Sequence, residues 1–218
     1  MGNDIDIKNF QISDGQIGGH DYVDLGLSSG IMWATCNIGA LKPYELGDYF
    51  AWGEVTPKED YSESLYKWGT MFNLTKYCTN PTSLKTYGKI DNKKMLEIED
   101  DAAAVNWGNG WRMPTISEMT ELKESCEWEK VENFMGKGVV GMVGRSMYNG
   151  NSIFFPFAGY RADIRLLEKD CCGEYYTSHI VSSYPYECWA LYLRNYVGVE
   201  GGYSRYVGQS VRAVAILP

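Results

Sequence analysis

Gly26-Leu-Ser28-Ser-Gly30 has the glycine–serine spacing of a nucleophile elbow, where a serine is pushed out of a sharp strand-to-helix turn. Here Ile31-Met-Trp-Ala-Thr-Cys36 follows, a run of strand-like composition, and the only histidine downstream is His179. The order of elements is wrong for a hydrolase, so the segment reads as a hairpin turn. Gly136-Lys-Gly138-Val-Val-Gly141 spells a dinucleotide-loop pattern, which must leave a strand and enter a helix so that phosphate meets the helix N-terminus. A helix-like stretch at 127–135 precedes it and a β-hairpin follows, which inverts that order.

The remaining reactive groups are sparse. Two histidines, His20 and His179, leave little for proton transfer. Glu97, Glu99, Asp100 and Asp101 could supply a carboxylate pair for hydrolysis. Acids just ahead of Ala102-Ala-Ala104 read better as N-terminal caps, favoured by the helix dipole. Cys171 and Cys172 lie between Asp170 and Glu174, and acidic flanks raise a thiol pKa. The six cysteines, at 36, 78, 126, 171, 172 and 188, lack the paired CxxC spacing of a zinc ribbon. No catalytic residue, metal or cofactor is expected, and the fold should be held by packing rather than by disulfides.

The elements that must position any site are mostly β. Runs at 22–27 and 31–38 are strand-like and joined by Ser28, Ser29 and Gly30. Residues 53–95 are loop-rich. Asp100-Asp-Ala-Ala-Ala-Val105 should start a first helix that ends by Gly108. The clearest helix follows Pro114: Thr115-Ile-Ser-Glu118 is a capping box, and Ile116, Met119, Leu122 and Cys126 share one face. Strands at 139–147 and 152–157 flank Asn149-Gly150, a strong hairpin signal. Further strands are expected at 186–193 and 211–217. The reading is a polar leader or linker at 1–19, where Ile5, Ile7 and Phe10 could add an edge strand, and one α+β domain at 20–218 with antiparallel sheets, two main helices and long loops.

Composition narrows the partner. The 218 residues are 44% hydrophobic, 22% charged and 14% aromatic, with 24 Gly, which is an ordinary globular make-up tilted toward short strands and turns. The formal charge of −8 disfavours nucleic acid and anionic membrane surfaces. No apolar run reaches the ~18–20 residues that span a bilayer, and Met1 to Phe10 has no signal-peptide pattern.

Eight phrases together carry a resemblance. They are Tyr22-Val-Asp-Leu-Gly-Leu-Ser-Ser-Gly-Ile-Met-Trp-Ala-Thr-Cys-Asn-Ile-Gly-Ala40, Gly47-Asp-Tyr-Phe-Ala-Trp-Gly-Glu54, Glu99-Asp-Asp-Ala-Ala103, Trp107-Gly, Trp111-Arg-Met-Pro-Thr-Ile-Ser-Glu118, Asn149-Gly-Asn-Ser-Ile153, Pro156-Phe-Ala-Gly-Tyr-Arg161 and Gly208-Gln-Ser-Val-Arg212. In this order, from Tyr22 to Val214, they resemble the Fibrobacter succinogenes major paralogous domain, abundant in gut Bacteroidota. The resemblance implies a C-type lectin-like fold of the formylglycine-generating-enzyme branch. It implies no activity: the copper-binding cysteine motif of those enzymes is not matched by Cys171, Cys172 or Cys188, and the calcium motifs Glu-Pro-Asn, Gln-Pro-Asp and Trp-Asn-Asp of sugar-binding lectins are absent.

The same fold branch includes the variable proteins of diversity-generating retroelements, which display a hypervariable C-terminal ligand-binding surface. Residues 175–206 have a matching composition, with eight of the 17 tyrosines. No Lys follows Lys169 and no Asp follows Asp170, and from 175 onward three Arg face two Glu. Tyr, Ser, Gly and Arg without Lys is the composition of a paratope. The expected function is therefore a non-enzymatic module presenting a Tyr-rich face to a surface protein or glycan, in an extracellular, cell-surface or phage-virion setting. The candidate contacts are His179, Ser182, Tyr184, Tyr186, Tyr192, Arg194, Tyr196, Tyr203, Arg205 and Tyr206, with Leu191, Leu193, Val211 and Ala213 as scaffold. The alternatives are a formylglycine-generating-type thiol/copper oxidase using Cys172 and Cys188, and a phage or cell-surface structural protein.

Overall fold

The computed structural model describes residues 13–79 and 88–217. Within them the chain is α+β, with antiparallel sheets and two α-helices. A four-stranded sheet has the order β1 (Gly15–Ile17), β2 (His20–Asp24), β3 (Ile31–Ala34), β12 (Val214–Ile216), so the last strand pairs beside the third. The helices α1 (Ala102–Trp107) and α2 (Ile116–Ser125) follow, then a meander of β4 (Cys126–Val131), β5 (Gly141–Ser146) and β6 (Ser152–Pro156). A small ribbon of β7 (Tyr160–Ala162) and β8 (Arg165–Leu167) leads into the sheet of β9 (Gly173–Val181), β10 (Tyr184–Leu193) and β11 (Val197–Ser204), ordered β11-β10-β9. No helix among the described residues is long and apolar enough to cross a membrane.

Local chemistry explains the helices. Asp101 accepts from the N–H groups of Ala103 and Ala104 and starts α1, and Gly108 at φ 59° ends it. Thr115 accepts from Glu118 N–H at 3.2 Å while Glu118 Oε2 accepts from Thr115 N–H at 2.8 Å, a complete capping box. Met119, Leu122 and Cys126 are buried as the spacing predicts, and Ile116 is partly buried.

Two expectations are corrected. Residues 127–135 do not form an α-helix: β4 occupies their first half, because Trp128 and its neighbours pair across to β5 and pack on the core, and a single 3-10 turn at Phe134–Gly136 follows. The folded sheet also begins before residue 20. Gly18 and Gly19, both at positive φ, form a two-residue turn joining β1 to β2, and Ile17 enters the core. Ile5, Ile7 and Phe10 lie outside the described residues.

The strands divide their side chains between two cores. In β3, Met32 and Ala34 enter the first core, with Trp52, Trp111 and Tyr176, while Ile31 and Trp33 enter the second, with Met119, Leu122 and Phe155. In β10, Cys188 and Ala190 go to the first and Leu191 and Leu193 to the second. β3 is buried at every position and β10 sends side chains into both cores, which fixes register strongly. Val211 and Ala213 are also fully buried, as expected of scaffold. The phrases that carry the resemblance lie largely in this framework. Trp52 Nε1 donates to Thr177 O, Trp111 Nε1 donates to Ile17 O, and Arg212 is buried with hydrogen bonds to Asn37 Oδ1 and Phe154 O. A Cβ at Gly208 would lie 2.5 Å from the Tyr61 ring.

Candidate ligand-binding face

Side chains leave the core at the two ends of β10. At the first end Tyr184 and Tyr186 pack edge to face with ring centroids 6.3 Å apart, and both are partly exposed. Exposed Ser182 sits in the β9–β10 turn, where its carbonyl accepts from Thr79 Oγ1 at 2.6 Å. Tyr186 and the partly exposed Tyr206 line a small cleft of about 70 Å³ with Tyr66 and Leu74. That is far below the ~300 Å³ of a site for drug-sized ligands, so the cleft can take a side chain at most.

At the other end Tyr192 and Tyr196 pack with centroids 5.4 Å apart. Exposed Arg194 lies 3.9 Å from Glu168. Eight residues separate Tyr184 from Tyr192, roughly 26 Å along an extended strand. The structure therefore places the expected contacts in two clusters rather than one patch.

On the face that holds the first core, register puts Glu174 opposite Tyr192 and Tyr203 opposite Cys188. Glu174 is 8% exposed and accepts from Gln209 Nε2 at 2.7 Å. Burial, reinforced by the nearby Glu168 charge, pushes its carboxyl up to about 7. Tyr203 is partly buried against the first core, and its hydroxyl is pushed well above the usual tyrosine range by burial and then by Glu174 and Glu200. Glu174 and Gln209 were not among the expected site residues, since neither type nor spacing sets them apart in the sequence.

Arg205 corrects the expectation outright. It is 1% exposed, and its guanidinium is turned into the protein onto backbone carbonyls and the Tyr66 hydroxyl, so it cannot meet a ligand. His179 is partly buried, with Nδ1 3.1 Å from Ser178 Oγ. Burial holds its pKa down, against an opposing effect of Glu118, whose carboxylate is committed to Arg112 and Thr115 N–H. His20 stacks on Trp107 at 3.9 Å and is likewise lowered by burial.

The other motifs take structural places. Ser28 donates to Glu121 Oε1 at 2.7 Å in an exposed turn. The glycine pattern at 136–141 runs from a 3-10 turn through the β4–β5 loop to the first residue of β5, with no helix after it. Glu97, Glu99 and Asp100 offer oxygens within 4.8 Å of one another, but Lys76 Nζ lies 2.5 Å from both Glu97 and Asp100 and supplies the cation there. All six cysteines are free thiols, and only Cys171 is exposed. Gly173 pairs with Leu193 whereas Cys188 pairs with Ile180. Cys172 and Cys188 are thus separated by about five residues of strand, roughly 16 Å, too far to share a copper ion or a disulfide. Burial pushes the Cys172 thiol up to about 12 and that of Cys188 well above its ordinary value.

No protein-family model, curated protein or solved structure matches this chain.

Proposed function

We propose that this chain is a non-enzymatic ligand-binding module that presents the tyrosine clusters at the two ends of β10 to a surface protein or glycan. One observation carries the reading: paired, partly exposed tyrosines sit at both ends of a strand that is anchored between two cores by Cys188, Ala190, Leu191 and Leu193. Rings held this way offer large amphipathic area at little entropic cost on binding. A span of roughly 26 Å suits a macromolecular surface better than a small ligand. The contacts are Ser182, Tyr184, Tyr186, Tyr192, Arg194, Tyr196 and Tyr206, with His179 and Tyr203 at the edge of the face.

Membership of the Fibrobacter succinogenes major paralogous domain family, with its C-type lectin-like fold, belongs to the same proposal. The two-helix, antiparallel arrangement and the framework role of the shared phrases support it. The setting is extracellular, at a cell surface or on a phage virion, and diversification by a retroelement requires a neighbouring reverse transcriptase and template repeat.

The test compares the parent chain with a variant carrying Tyr184→Ala, Tyr186→Ala, Tyr192→Ala and Tyr196→Ala. Both are labelled and applied to glycan arrays and to intact bacterial cells. The variant should stay folded and lose at least about tenfold in binding, since a few aromatic anchors dominate most interfaces. Full retention of the parent signal by the folded variant, or no signal from the parent, defeats the proposal.

A further inference from the structure

Arg161 is held in place by its backbone, while its side chain has no hydrogen-bond acceptor among the described residues. Its N–H donates to Gly208 O at 2.8 Å, and Gly208 N–H donates back to its carbonyl at 2.8 Å. The residue is partly exposed, and its guanidinium makes no hydrogen bond or ion pair among the described residues; it lies 5.4 Å over the Tyr49 ring. The other arginines taken out of water are satisfied. Arg112 has Glu118, and Arg205 and Arg212 are surrounded by carbonyl and amide oxygens. A guanidinium with no protein acceptor keeps its planar fork open, and a carboxylate matches that fork.

The space before Arg161 is a cavity of about 170 Å³ lined by Asp48, Tyr49, Lys58, Glu59, Tyr61 and Arg161. Its aromatic walls are rigid. The Tyr49 hydroxyl donates to Ala158 O at 2.7 Å, the Tyr61 hydroxyl donates to Tyr49 O at 2.5 Å, and both residues are buried. Lys58 does not compete as the anion receptor, because its ammonium is held by Glu54 at 3.0 Å and by Leu65 O at 3.2 Å. Asp48 and Glu59 are exposed at the rim.

We propose that this cavity is a subsite for one carboxylate-bearing sugar unit, with the sugar carboxylate on Arg161 and its hydroxyls donating to Asp48 and Glu59. The volume is below the ~300 Å³ needed for drug-sized ligands and suits a single small unit. A neutral sugar leaves the guanidinium unpaired, and a dicarboxylate brings a second negative charge against the two rim acids. The site uses none of the ten residues expected at the tyrosine face and does not depend on that reading.

The test is an NMR titration of the isotope-labelled chain with glucuronate, glucose and acetate. Glucuronate should shift amides around Arg161, Tyr49 and Tyr61 and bind at least tenfold more tightly than either glucose or acetate, and Arg161→Gln should lose about tenfold or more of that affinity. Equal binding of glucose, binding of acetate as tight as glucuronate, or no shift at up to ~50 mM glucuronate overturns the proposal. So does unchanged glucuronate affinity in Arg161→Gln. The comparison of three ligands on the parent chain decides the matter even if that variant fails to fold. Substitution of Tyr192 and Tyr196 by Ala should leave glucuronate binding unchanged, and its loss there would assign the ligand to the other face.

Discussion

Arg205 Nε donates to the Tyr66 hydroxyl at 2.9 Å, joining residues 139 positions apart in the chain. The same guanidinium donates to the carbonyls of Pro185 at 2.8 Å and of Tyr77 and Lys76 at 3.2 Å, and lies 4.9 Å over the Trp52 ring. One side chain thus ties the long loops after β3 to the start of β10, beside the Tyr184 and Tyr186 cluster. The cation is neutralised by carbonyl dipoles and ring faces, an arrangement available to a planar five-donor group.

Replacing Arg205 by Met should therefore cost more than ~3 kcal/mol, because several buried acceptors lose their donor at once. Arg205→Lys should also destabilise, since one compact ammonium cannot reach all four acceptors. Urea midpoints measure both, and a loss below ~1 kcal/mol in the Met variant would refute the clamp.

Glu174 makes stability depend on pH in a defined direction. Its folded pKa, about 7, lies above the ordinary value of 4.5. The folded state then holds more protons between those values, so this contribution is complete below pH 4.5 and is lost as pH rises through 7. Glu174→Gln, which keeps the neutral form, should match the parent near pH 4.5 and exceed it by up to ~3 kcal/mol at pH 8.5. Paired melts across that range read the difference, and a flat difference would show that the carboxyl titrates normally.

Thr115→Ala should lower stability by about 0.5–2 kcal/mol through loss of the α2 cap, with no effect on ligand binding. Glu118→Ala should cost more, because Glu118 also takes both Arg112 nitrogens, at 2.8 and 2.6 Å. Denaturant midpoints that rank the two in the opposite order would contradict the geometry.

Iodoacetamide at pH 8 should label Cys171 alone in the native chain and all six cysteines after unfolding. Cys171 is the exposed thiol, whereas burial raises the Cys126 and Cys172 thiols to about 12 and suppresses their thiolates. Mass spectrometry reads the count. Melts with and without reductant should coincide, and a drop of more than ~10 °C in reductant would reveal a disulfide that stabilises the fold.

The features that the sequence determined by itself are those made within a few residues. The cap at Asp101, the box of Thr115 and Glu118, the stop at Gly108 and the strands on either side of Asn149-Gly150 all rest on bonds between near neighbours, so residue type and spacing suffice. The alternation of Leu191 and Leu193 in β10 was readable for the same reason. Tertiary structure alone decided which tyrosines face water. Tyr175 and Tyr176 are fully buried and Tyr184 and Tyr192 are not, although all four lie in one Tyr-rich run. A strand states only that successive side chains point opposite ways; what covers each face comes from segments far away in sequence. Here β9 and β10 are anchored between two cores, by Tyr175, Tyr176, Cys188, Ala190, Leu191 and Leu193, and the tyrosines at the ends of β10 are left partly uncovered. The same cause turned Arg205 inward, where its acceptors come from residues 66, 76, 77 and 185, and left Arg161 without one. Charge and composition are common to both arginines, so only the arrival of distant carbonyls separates a structural cation from one open to a ligand.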